Sequence, residues 1–243
     1  MNILKYPLHI FWRVWFYCWV FFSIVAIFPV LLVVTSSESL YHIFFKIAQA
    51  WANTILFVMG FRVEVVDKDL NDDDKSYMFC PNHTSMIDIM LMLSIAKNPF
   101  VFVGKKELTK IPVFGFFYKR TCIIVDRNNS HSKKAVFEEA RRRLSDGLDV
   151  CIFPEGLVPD DESIVLSEFK NGAFRLAIEH QIPVVPISFM DCKKRFSYTF
   201  FSGGPGKLRV KIHPFIQTKG LILKDRDRIK KQTFESVRSG LYQ

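Results

Sequence analysis

The chain has 243 residues, enough for one substantial domain and a smaller appendage. Its formal charge of +9 admits either nucleic acid or an anionic membrane surface as a partner, but no zinc-finger spacing and no aromatic-basic RNA motif is present. Five dispersed cysteines without a C-x-x-C pair argue against a disulfide framework and read as reduced, buried thiols in a protein facing a cytoplasmic compartment.

Many of the 25 phenylalanines fall in the first 60 residues, which points to a lipid partner. Residues 14–34 form an uncharged run of 21, long enough to cross a hydrocarbon core of about 30 Å as a helix, with Pro29 allowing a kink or turn. The run ends in bulky residues before Thr35, Ser36 and Ser37, so it reads as a retained anchor and not as a cleaved signal. A second apolar stretch, residues 40–61, carries Lys46, Gln49 and Asn53 and suits an interfacial or re-entrant helix. Most of the positive charge lies beyond it, as expected of a basic domain held against anionic headgroups.

After Gly60 the pattern becomes short apolar runs alternating with amphipathic segments. Residues 62–66, 77–80, 100–103, 122–125, 150–153 and 184–189 read as strands, and 86–96, 132–144 and 172–180 as helices. The alternation predicts an α/β domain with a mixed, largely parallel sheet flanked by helices. Residues 71–74 read as a solvated turn. Residues 196–201 and 208–213, joined through Gly203, Gly204 and Gly206, read as a hairpin, and a helix is expected from Lys224 onward. Arg141, Arg142 and Arg143 read as the solvated or membrane-facing side of their helix. The boundary therefore falls between an anchoring segment, 1–60, and an α/β domain, 61–243.

Three constellations carry chemistry. His83 and Asp88 stand five residues apart at a strand-to-helix junction, where a loop imidazole can be oriented by a carboxylate in the first helical turn. Ser85 and Asp88 equally fit a capping box, in which the carboxylate serves the helix N-terminus. Lys105, Lys106 and Arg127 fall at the ends of two strands, where parallel sheets bind ligands, and suit a phosphate. Glu155 and Gly156 follow another strand end, with Lys170 shortly downstream, and a carboxylate there can accept hydrogen bonds from a polyol.

Taken in order, His83-x4-Asp88, the block from Lys105 through Gly115 to Asp126-Arg127, Phe153-Pro154-Glu155-Gly156 and the run Ile182 through Pro186 resemble the glycerolipid acyltransferase family, and in particular bacterial 1-acyl-sn-glycerol-3-phosphate acyltransferases. The resemblance implies a two-helix N-terminal membrane motif ahead of the α/β fold. It implies His83 as the general base on the 2-hydroxyl of lysophosphatidic acid and Asp88 as the group that orients the ring. Lys105, Arg127, Glu155, Gly156 and Lys170 become substrate contacts. Acyl-CoA or acyl carrier protein is the co-substrate, with no metal and no cofactor. The expected place is the inner membrane, with membrane lipids as partners, no nucleic acid, and the catalytic domain facing the cytoplasm.

One block departs from the pattern. The family commonly continues Phe-Pro-Glu-Gly with Thr-Arg, whose arginine contacts the acceptor phosphate; here Leu157 and Val158 stand instead. Another lysolipid acceptor, such as a lyso-ornithine lipid, is therefore an alternative, and a non-catalytic membrane-binding module a more distant one.

Overall fold

The computed structural model describes residues 5–68, 76–126, 130–159, 161 and 163–242. The expected turn at 71–74 and the candidate ligand Arg127 lie outside them. The chain forms two compact units. One comprises residues up to 64 together with 84–97 and 190–209; the other comprises 65–83, 98–189 and 210 onward.

The first unit is built on α1 (Lys5–Val34), α2 (Tyr41–Val58) and α3 (Asp88–Ile95), with the short α7 (Cys192–Arg195). Helix α1 runs unbroken through Pro29, and the chain reverses instead at residues 35–37. It is the one helix among the described residues long and apolar enough to cross a membrane, and most of it is not covered by protein. Trp51 Nε1 donates to Ser23 Oγ at 2.9 Å and ties α2 to α1. Two of the polar residues of α2 are turned towards α3. Gln49 Nε2 donates to the carbonyls of Leu93 and Ala96, the latter at 2.8 Å, and Asn53 Oδ1 accepts from Ser94. Two orphan carbonyls at the C-terminal end of α3 are satisfied this way.

The second unit carries most of the sheet. The strands of the chain are β1 (Phe61–Lys68), β2 (Met78–Pro81), β3 (Phe100–Lys105), β4 (Ile123–Val125), β5 (Asp149–Cys151), β6 (Val184–Phe189) and β7 (Gly206–Ile212), of which residues 61–64 and 206–209 belong to the first unit. The strand order is β1-β7-β6-β2-β5-β3-β4. The pairs β6/β2, β2/β5, β5/β3 and β3/β4 are parallel and β6/β7 is antiparallel, which gives the expected mixed, largely parallel sheet. Every residue of β6 is buried, as a strand covered on both faces requires. Helices α4 (Phe114–Thr121), α5 (Ser130–Ser145), α6 (Gly172–Glu179) and α8 (Arg226–Leu241) complete the chain. Met78, Val101 and Val150 of the sheet meet Ala140 of α5, Phe174 of α6 and Val237 of α8 in one core.

Two expectations fail. Residues 196–201 form no strand; they make a loop, and β7 pairs with β6 instead of closing a hairpin. The three arginines of α5 are not alike either. Arg141 and Arg142 are exposed, but Arg143 is only 4% exposed, donating to Glu139 at 2.9 Å and to the carbonyl of Arg120 at 3.2 Å.

Candidate active site

In the second unit, four parallel strands end on one edge of the sheet, and each hands the chain to a residue of interest. His83 follows β2, Pro154 and Glu155 follow β5, Lys105 closes β3, and Asp126 follows β4. This is the edge at which parallel α/β sheets bind ligands.

His83 is fixed from two sides. Asn82 is 1% exposed; its Oδ1 accepts from Phe189 N at 2.7 Å and its Nδ2 donates to Phe189 O at 3.2 Å, so a side chain extends the β2/β6 ladder by one rung. The backbone N–H of His83 then donates to Glu155 Oε1 at 2.7 Å. The ring of Phe153 stacks on the imidazole with centroids 4.2 Å apart and planes 23° from parallel. Phe102 lies behind Phe153 in a second stacked contact at 6.0 Å. Sequence reasoning found the Phe153 block but not that its phenylalanine is a platform for the histidine.

Glu155 requires a correction. It was expected to accept hydrogen bonds from a polyol, yet it is 2% exposed, and its second oxygen accepts from Ser167 N at 2.7 Å. A carboxylate spent on two backbone N–H groups braces the strand end and the 167 loop; it does not face a substrate. Its neighbour Gly156 has φ +80°, and a Cβ there would come within 3.0 Å of the Lys170 side chain, so glycine permits both the turn and the close lysine. Lys170 N donates to Pro154 O at 2.8 Å, which brings Lys170 to the same strand end as Glu155 and leaves its side chain exposed.

Lys105 is exposed and pairs in register with Val125, while Lys106 is engaged with Asp126 at 3.1 Å. Beyond them Val113 has φ +64° and ψ −60°, and Phe114 N donates to Pro112 O at 2.7 Å, a γ-turn that is strained for a β-branched residue. Gly115 is obligatory beside it, because a Cβ would lie 2.2 Å from Thr109 O.

In the first unit, Asp88 opens α3 fully buried. Its Oδ2 accepts from Thr84 N at 2.7 Å and Ser85 N at 2.8 Å, half of the anticipated capping arrangement. The other half is present in a longer form, since Ser85 Oγ accepts from Ile87 N at 3.3 Å while its own proton goes to the carbonyl of Phe196. Burial pushes the neighbouring Cys192 thiol up, and the Asp88 charge pushes it further. Among the described residues no cluster of histidine, cysteine and carboxylates is placed to hold a metal ion.

An acyltransferase family model matches residues 62–190. The 1-acyl-sn-glycerol-3-phosphate acyltransferase alpha of Ovis aries is 31% identical over 183 residues, covering 72% of this chain and 61% of its own length. A probable 1-acyl-sn-glycerol-3-phosphate acyltransferase of Mycoplasma pneumoniae is 28% identical over 162 residues, covering 62% of this chain and 60% of that protein. The matched segment thus spans about three fifths of these relatives. The crystal structure of the 1-acyl-sn-glycerophosphate (LPA) acyltransferase PlsC from Thermotoga maritima matches with a TM-score of 0.78 at 22% identity, covering 100% of this chain and 97% of that one, a likeness of fold. With the family model covering more than half of its length, the chain belongs to the acyltransferase family.

Proposed function

We propose that the protein transfers an acyl chain from an acyl thioester, carried by coenzyme A or acyl carrier protein, to the 2-hydroxyl of 1-acyl-sn-glycerol-3-phosphate, giving phosphatidic acid. The observation that supports this most is the imidazole of His83, stacked on Phe153 and held through its backbone by Glu155 at the ligand-binding edge of the sheet. His83 removes the hydroxyl proton as the oxygen attacks the thioester carbonyl. The C–S bond then breaks, and the proton passes to the departing thiolate. Positioned base catalysis of this kind contributes about 10²–10⁴-fold. Asp88 serves as the carboxylate partner of the imidazole, a role that rests on the family resemblance.

Phosphate recognition falls to Lys105, Arg127 and Lys170, since Leu157 and Val158 replace the usual hydroxyl and guanidinium. The N-terminal segment, 1–60, anchors the enzyme at the cytoplasmic side of the inner membrane, where the lysolipid is delivered without leaving the bilayer. The test is purified protein in mixed micelles, given a labelled acyl thioester and a panel of lysolipids, with products resolved by mass. Labelled phosphatidic acid as the main product supports the reading, and Lys105→Ala should then raise the acceptor's KM about 10-fold or more by removing a charge-assisted contact. Product from lyso-ornithine lipid alone would move the assignment to the alternative acceptor that Val158 favours.

A further inference from the structure

Between α7 and β7 the chain makes a closed loop, residues 196–205, whose backbone is gathered by polar contacts. Arg13 of α1 is 2% exposed, and its Nη2 donates to the carbonyls of Ser197 and Thr199 at 2.8 Å and of Ser202 at 3.0 Å. The same guanidinium lies over the rings of Phe196 at 4.7 Å and Phe200 at 5.5 Å. Ser197 and Ser202 bond through their hydroxyls at 2.6 Å. Gly204 N donates to Arg195 O at 3.0 Å, and Arg195 itself reaches the carbonyl of Pro205 at 3.1 Å. The loop is therefore ordered by hydrogen bonds, with Phe196 the one aromatic turned inward, 2% exposed against Phe16 and Trp12 of α1.

Its other large side chains face out. Tyr198, Phe200 and Phe201 are 57%, 41% and 51% exposed. Three exposed aromatics on one ordered loop are an interaction surface, not scattered exposure. Phe201 meets Tyr6 edge-to-face at 5.6 Å, which joins this surface to the apolar face of α1 that exposes Ile10, Val14 and Tyr17. On the other side α7 supplies Lys193 and Lys194, so an apolar tip carries a cationic rim. Aromatic rings beside lysines are the composition that settles at the headgroup level of an anionic bilayer.

We propose that residues 197–202 form an aromatic wedge seated in the interface of an anionic lipid bilayer, and that Arg13 is the positioning residue that holds this wedge in register with α1. The proposal rests on the reading of α1 as membrane-embedded. Arg13 then serves as an internal clamp and not as a free charge at the headgroups.

The test uses the full chain in vesicles of phosphatidylcholine with phosphatidylglycerol, carrying Cys18→Ser and Cys122→Ser changes to remove the exposed and the partly exposed native thiols. Cys80, Cys151 and Cys192 are buried, and burial pushes their thiols well up, so they resist labelling. An environment-sensitive fluorophore is placed in turn at Phe201→Cys, Phe22→Cys and Glu235→Cys, and quenching by lipids spin-labelled near the headgroup and along the chain is compared. The expected result is several-fold stronger shallow quenching at 201 than at 235, falling when phosphatidylglycerol is omitted. Quenching at 22 without quenching at 201 overturns the wedge and leaves the anchor standing; its absence at both overturns both. Arg13→Met should lower quenching at 201 but not at 22, with Arg13→Lys restoring part of it. Unchanged quenching at 201 in both Arg13 variants overturns the clamp.

Discussion

The side chains of the Phe153–Glu155 block divide the work in a way their spacing does not reveal. Glu155 is a spacer between a strand end and a loop, binding His83 N and Ser167 N, whose positions lie 72 and 12 residues away in sequence. Because both partners are distant along the chain, the block marked the place of the site in the sequence but not the role of the carboxylate. Glu155→Gln keeps the shape and turns an N–H₂ group towards one of the two backbone donors. The unsatisfied donor should cost about 1–3 kcal/mol of stability and loosen the imidazole, so kcat should fall about 10-fold while the acceptor's KM moves less than about 3-fold. Steady-state kinetics with both substrates varied check this, and a change confined to the acceptor's KM would return Glu155 to a substrate-binding role.

Among the elements, β5 carries the least expected group, Asp149, which is 1% exposed at its first position. Its Oδ1 accepts from Tyr77 N at 2.9 Å, but burial outweighs that bond and pushes the carboxyl up to about 7. A carboxyl raised above its unfolded value contributes stability that is complete in acid and is lost as pH rises towards the folded value. Relative to Asp149→Asn, the native chain should therefore lose about 1.4 kcal/mol per pH unit between roughly pH 5 and 6.5, levelling off above about 7. Urea melts of both proteins across that range test it, and parallel curves would contradict it. Strands and helices of the α/β region were legible because their apolar periodicity is local; β6 begins and ends where its apolar run does. The failed hairpin has an equally local cause. The aromatic pattern of residues 196–201 imitates a strand, while the contact that makes it a loop comes from Arg13, more than 180 residues earlier. Arg143 was misread for the same reason, since the Arg120 carbonyl that receives it belongs to another element.

For the whole molecule, the decisive property is that an apolar N-terminal helix and a basic α/β domain belong to one chain. Acyl thioesters are cytoplasmic, so both apolar segments should return the chain to the side on which it starts, as a hairpin or by dipping into one leaflet. Accessibility labelling in cells should find residues 2 and 240 on the same, cytoplasmic face; opposite faces would require a single span and a domain separated from its donor. The proposed reaction turns on His83 as the base for direct attack of the hydroxyl on the thioester. The measurement that tests this most directly is the rate at which purified wild-type and His83→Ala protein form labelled phosphatidic acid from lysophosphatidic acid and an acyl thioester, with folding verified by thermal melting. A loss of at least about 10²-fold with an unchanged melt is the predicted result. Retention of more than about a tenth of the wild-type rate would contradict the assignment of the base.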